Sequence, residues 1–243
     1  MCFAFFGDKI HLQGKKSMSE TRYLIFPVQF FEKTAVKEIC SLAFHYGIYR
    51  KALDYLEEGE SGVTIDHIKQ AMKYFNLQVN DLENRLKHGK YFYELHGENI
   101  PVTSINVLIL IQYGKEDKTE FEVLVFRAYC AIRGILGTKA YMRLTNDYWV
   151  ARMYGFRKVS DYLVHQEKYA LKRYTLDKIK NELQNNWGLI YYSNKTRGFF
   201  VSYTLSLVDL MVHVESNKLV SKDAELKKKK QEAYEAALKR LKK

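Results

Sequence analysis

The residues from Tyr174 to Tyr203 constrain the fold more than any other part of this chain. Leu176, Ile179, Leu183 and Trp187 recur at helical spacing and form one apolar stripe. Thr175 is placed to cap that helix, because its hydroxyl can accept a first-turn backbone N–H. The other side carries Lys178, Lys180, Asn181, Gln184 and Asn185, and Gly188 stops the helix. The segment Ser193-Asn-Lys-Thr-Arg-Gly198 then turns between two aromatic, β-rich runs. The pattern predicts a helix over 175–187 that runs directly into a β-hairpin with a basic tip.

The net charge of +11 in 243 residues is unevenly distributed. Residues 1–138 hold 17 Lys and Arg against 17 Asp and Glu, whereas 139–198 hold 12 against 5. Residues 199–217 hold none against 2, and 218–243 hold 10 against 4. A solubility device would spread its charge; concentration at the helix–hairpin region and the tail points to a polyanionic partner. Apolar residues make up 47%, enough for a core, and two prolines favour long regular elements.

Upstream, Tyr23 to Phe31 is an apolar lead-in broken by Pro27. Helical spacing starts near Thr34 and continues past Gly47 to Leu56. Thr64 caps a second helix, and Asn80 caps a third that ends at Gly89. Tyr91–Leu95 and Ile100–Thr103 then read as a hairpin. Ser104–Tyr113 is an apolar run of ambiguous type, and Gly114–Lys118 reads as a link. Phe121–Leu136 is a strong helix, Ala140–Leu144 a short strand, and Thr145 caps a helix ending at Gly155. Phe31-Glu32, Cys40 and Gly47 match Phe121-Glu122, Cys130 and Gly137 at one offset, so the halves are alike in order, though common ancestry does not follow. The Lys/Glu/Ala-rich tail beyond Ser221 reads as an exposed helix.

Asn and Gln amides bond bidentately to adenine, and Lys reaches guanine or a phosphate. Lys178, Asn181 and Asn185 fall at successive turns, with Lys180 and Gln184 beside them. Lys168, Lys172 and Arg173 precede the helix, near flanking phosphates, and Lys195 and Arg197 at the hairpin tip suit the backbone or minor groove. The corresponding helix of the first half presents Asp81 and Glu83, which repel phosphate. Trp187, Tyr191, Tyr192 and Tyr203 read as packing residues, and Arg152 as a partner of Asp147.

Other chemistry lacks its motifs. The seven histidines show no metal-ligand spacing, and there is no Cys-x-x-Cys, phosphate loop or Gly-x-Ser-x-Gly. The expectation is a protein that is not an enzyme, with no metal and no cofactor. Cys2, Cys40 and Cys130 are dispersed and odd in number, as in a reducing cytoplasm, and no apolar run approaches the ~20 residues that span a bilayer.

The segments Thr145–Gly155 and Thr175–Tyr203 resemble a winged-helix DNA-binding domain. Two such units in tandem, the second one basic, resemble the replication initiator proteins of plasmids. That resemblance implies a mainly α fold with small β-hairpins (α+β) and two tandem winged-helix domains. Residues 1–20 would be a disordered leader, with Met18 an alternative start. Residues 21–115 would be a domain for homodimerisation or partner contact, 116–217 a DNA-binding domain, and 218–243 a basic tail. It implies a cytoplasmic partner of double-stranded DNA, acting in replication or transcription of a mobile or host element. The competing expectations are a protein-interaction module without DNA binding and a nucleic-acid enzyme.

Overall fold

The computed structural model describes residues 22–32, 35–97, 100–193 and 198–241. The leader and the hairpin tip, including Lys195 and Arg197, lie outside them. The chain is mainly helical, with two small antiparallel sheets among the described residues.

The first strand, β1 (Tyr23–Pro27), leads through a 3-10 turn (Val28–Glu32) into α1 (Val36–Leu53), α2 (Ile65–Tyr74) and α3 (Leu82–His96). β2 (Val102–Asn106) pairs antiparallel with β1, Tyr23 opposite Asn106 and Pro27 opposite Val102. The expected hairpin over Tyr91–Thr103 is therefore absent: residues 91–96 continue α3, and β2 finds its partner at the start of the chain. Gly89 explains the error. It does not end the helix; a Cβ there would meet Tyr49 Cβ at 2.7 Å and His45 O at 2.8 Å, so glycine lets α1 and α3 approach closely. The third helix also starts one residue later than expected, with Asp81 rather than Asn80 in the N-cap position.

The ambiguous run from Ser104 to Tyr113 is both strand and helix. Asn106 ends β2, and its Oδ1 accepts Leu108 N–H at 2.8 Å, capping α4 (Val107–Tyr113). Next comes α5 (Glu120–Leu136), opened by a reciprocal Thr119–Glu122 capping box. β3 (Met142–Leu144), α6 (Asn146–Met153), α7 (Val159–Val164) and α8 (Gln166–Tyr169) follow. Thr145 caps α6 as expected, accepting Tyr148 N–H at 3.2 Å. α9 (Arg173–Asn186), β4 (Ile190–Tyr192), β5 (Phe199–Ser202) and α10 (Leu207–Leu241) complete the chain. The second sheet has the order β3-β5-β4.

One contiguous cluster of buried side chains draws on both halves. At its centre, Phe126 of α5 stacks on Tyr113 at 3.9 Å, meets Phe31 edge-on at 5.5 Å and tilts against Trp187 at 5.4 Å. Trp149 is fully buried, and its Nε1–H donates to Ala128 O at 3.3 Å. Cys40 and Cys130 are buried free thiols, both pushed upward by burial, Cys40 to about 11. Substituting Phe126→Ala removes a ring shared by four elements. We expect a loss of about 3–5 kcal/mol in urea denaturation, in the range of large-to-small core changes.

Between α1 and α3, the His45 and His88 rings lie 5.2 Å apart. Burial, with help from the Arg85 guanidinium and His88 and against Asp81, pushes His45 down to about 4. The unfolded chain therefore binds this proton more readily than the folded one. His45 contributes full stability above its ordinary value of about 6.5 and loses it as pH falls towards 4. The urea midpoint should drop over that window, and His45→Gln should flatten the drop.

Candidate nucleic-acid interface

α9 buries Leu176, Ile179 and Leu183, while Trp187 lies half-buried against Phe126 and Tyr129. Those contacts fix which side of the helix remains outside. Lys178, Asn181 and Asn185 are exposed at i, i+3 and i+7, on one line along the cylinder. Gln184 is exposed beside them. Tyr174 extends the same line by one turn towards the N-terminus, 69% exposed, with Lys178 Nζ 4.8 Å from its ring centre. The sequence reading did not place Tyr174 on this face. Its place four residues before Lys178 was the available signal.

Two expectations about this helix are corrected. Thr175 does not cap it. Lys172 takes the extended N-cap conformation without a side-chain cap, and Thr175 sits half-buried inside the first turn. Lys180 does not join the outer amides. It is 8% exposed and points inward, where Nζ donates to Asn146 Oδ1 at 3.1 Å and lies 3.7 Å from Asp177 Oδ1. The rings of Phe199, Tyr191 and Trp149 surround it, with centroids 4.5, 5.6 and 5.9 Å away. Burial holds its ammonium below the ordinary value, with Asp177 opposing. The physical reason lies in helix phase: Lys180 is one residue past Ile179 and four past Leu176, so it falls at the edge of the apolar stripe.

The flanking cations lie outside. Lys168, Lys172 and Arg173 are exposed; Lys168 Nζ rests 5.0 Å from the Tyr169 ring, and Arg173 Nε stands 3.9 Å from Asp177 Oδ2. Two carboxylates border the donor line. Asp177 faces Arg173 and Lys180, and Glu182 accepts Asn186 Nδ2–H at 2.6 Å. Beyond α9, β4 and β5 pair with Ile190 opposite Ser202 and Tyr192 opposite Phe200, bracketing the tip that carries Lys195 and Arg197. In the first half, the exposed early turn of α3 offers Asp81 and Glu83, and Asp81 Oδ2 accepts Asn84 Nδ2–H at 2.9 Å.

No family model matches the chain, and no curated protein or solved structure shows significant similarity to it. Among the described residues, no group of three or more His, Cys, Asp or Glu is arranged to hold a metal ion. No described helix is long and apolar enough to cross a membrane.

The buried lysine yields a discriminating prediction. Asn146→Ala leaves the buried ammonium with Asp177 as its one remaining partner and should cost about 1–3 kcal/mol. Lys180→Met removes the charge while keeping the stem among the rings, and should cost less than Asn146→Ala. Urea denaturation of the two variants gives the order.

Proposed function

We propose that the second half of the chain binds double-stranded DNA as a winged-helix module. α9 enters the major groove, and the β4–β5 loop holds the backbone or minor groove. The observation that carries this reading is the line of Lys178, Asn181 and Asn185, exposed on a helix whose other side is locked into the core. Amides and ammonium groups on a presented helix face are the donors that base edges and phosphates accept. Element order supports it too. A helix, a strand, further helices, the presented helix and two strands succeed one another, with the first strand paired to the last in a β3-β5-β4 sheet. The excess of 12 basic over 5 acidic residues in 139–198 supplies the attraction to phosphate.

The tandem form of the reading is narrower than the sequence pattern implied, because α3 occupies the place of the first wing. The first half serves homodimerisation or partner contact, and the whole acts as an initiator of replication or a regulator of transcription. A second reading, a protein-interaction module, draws on the exposed Leu207, Val208, Met211 and Val212 at the start of α10.

Salt dependence separates the two. Duplex affinity should fall with a log–log slope near −0.9 per phosphate neutralised. Changing Lys178, Asn181 and Asn185 to Ala should lower discrimination between a selected site and random duplex by about 1–3 kcal/mol for each base-reading side chain removed. Lys195→Ala with Arg197→Ala should weaken both duplexes and flatten the slope. Binding that ignores both sets of changes would remove the proposed docking face.

A further inference from the structure

The start of α10 carries two apolar faces. Ser206 opens the helix, its Oγ accepting Asp209 N–H at 3.1 Å. Leu210 and Val214 turn inward and are buried, and on that side Glu215 accepts the Tyr192 hydroxyl and Asn217 meets Tyr141. Val208 and Val212 each stand two positions earlier, roughly half a turn round the cylinder, and are 68% and 59% exposed. Leu207 and Met211 flank them and are exposed as well. A contiguous apolar patch on a folded chain marks a contact site.

The patch begins a longer pattern. From Val212 the sequence brings an apolar residue every seven positions, at Leu219, Leu226 and Ala233. Seven residues return a helix to within about 20° of the same line. α10 is unbroken from Leu207 to Leu241, so these positions continue the line of Val208 and Val212. The ion pairs Glu225–Lys229, at 3.0 Å, and Lys228–Glu232, at 3.9 Å, use other positions. The helix has 35 residues and is about 50 Å long, while the contacts that seat it on the sheet come from its first three turns. Helices in water draw most of their stability from an apolar face packed on something else.

A seven-residue apolar repeat is the pattern by which one helix packs along another, so the occupant is a helix with a stripe of matching length. A second α10 has that stripe by identity, and a two-fold axis makes the surface its own complement. Charge sets the direction. Residues 199–217 carry two acidic residues and no basic one, whereas 218–243 carry 10 basic against 4 acidic. Parallel helices would lay two basic tails side by side. Antiparallel helices lay each tail along the acidic start of the other and oppose the two helix dipoles.

We propose that a second copy of this chain docks on the Val208–Val212 face, the two α10 helices packing antiparallel about a two-fold axis near position 219. That centre sets position 212 opposite 226, and position 209, an aspartate, opposite 229, a lysine. The four exposed side chains of the first turns cover only part of the ~1,000 Å² that a stable interface needs, so the contact runs on along the repeat. It is separate from any contact of the first half and does not depend on what α9 binds.

The experiment is sedimentation equilibrium of the full chain over a range of concentrations. A reversible species of twice 28.7 kDa is expected. Val208→Asp/Val212→Asp leaves Leu210 and Val214 in place and should raise the dimer Kd at least tenfold with an unchanged circular dichroism spectrum. Leu226→Asp should do the same, because the contact reaches that far. Direction is read by crosslinking in a Cys2→Ser background. Under mild oxidation, chains carrying Val212→Cys should form disulfides with chains carrying Leu226→Cys and few with themselves. A chain that is monomeric at every concentration, or a dimer indifferent to either set of aspartates, would overturn the proposal. So would a Val212→Cys chain that crosslinks mainly to itself. A monomer that binds vesicles of anionic lipid through Val208 and Val212 would give this face to a membrane surface instead, with the same result.

Discussion

The contact on which the architecture turns is the aromatic cluster around Phe126. One ring meets Phe31 from the opening turn, Tyr113 from the end of α4 and Trp187 from the end of α9. Aromatic groups bury large areas each, and their geometry is directional, so the cluster fixes orientation as well as stability. It joins elements more than 150 positions apart in sequence. Through Trp187 it also anchors the C-terminal end of α9. The outer face of that helix is thus a consequence of core packing rather than of surface residues.

A second anchor acts further along α9, where Lys180 sits beside Asn146 under three rings. Buried ammonium groups are tolerated only when paired and hydrogen-bonded. Rotating α9 by one residue would break that pairing and carry Trp187 out of its cluster. Both anchors therefore select the rotation that leaves Tyr174, Lys178, Asn181 and Asn185 outside.

Much of this was legible in the sequence where local chemistry decides structure. Thr145 as a cap, the stripe of Leu176, Ile179 and Leu183, the stop at Gly188 and the burial of Cys40 and Cys130 all follow from local chemistry and residue spacing. What was hidden depends on partners remote in the chain. Gly89 looked like a helix end because nothing nearby indicates that Tyr49 and His45 lie against it. Ile100–Thr103 looked like half of a hairpin because β1, the partner of residues 102–106, lies some 80 positions earlier. Lys180 looked like a surface donor because lysine usually is one; only the position of Asn146, 34 residues earlier, makes an inward ammonium tenable.

α10 has a further effect on the sheet beneath it. Leu210 and Val214 are buried, Glu215 accepts the Tyr192 hydroxyl at 3.1 Å, and His213 stacks on Tyr141 at 5.9 Å. The helix thus spans the outer side of the lamina from β4 to the residue before β3, while Tyr191, Phe199 and Val201 face inward or pack against one another. A sheet of three strands, each of four residues or fewer, is a weak spring when one side is wet. With the core on one side and α10 on the other, Phe199, Val201 and Ser202 are buried, so the small sheet takes part of its support from a helix later in the chain.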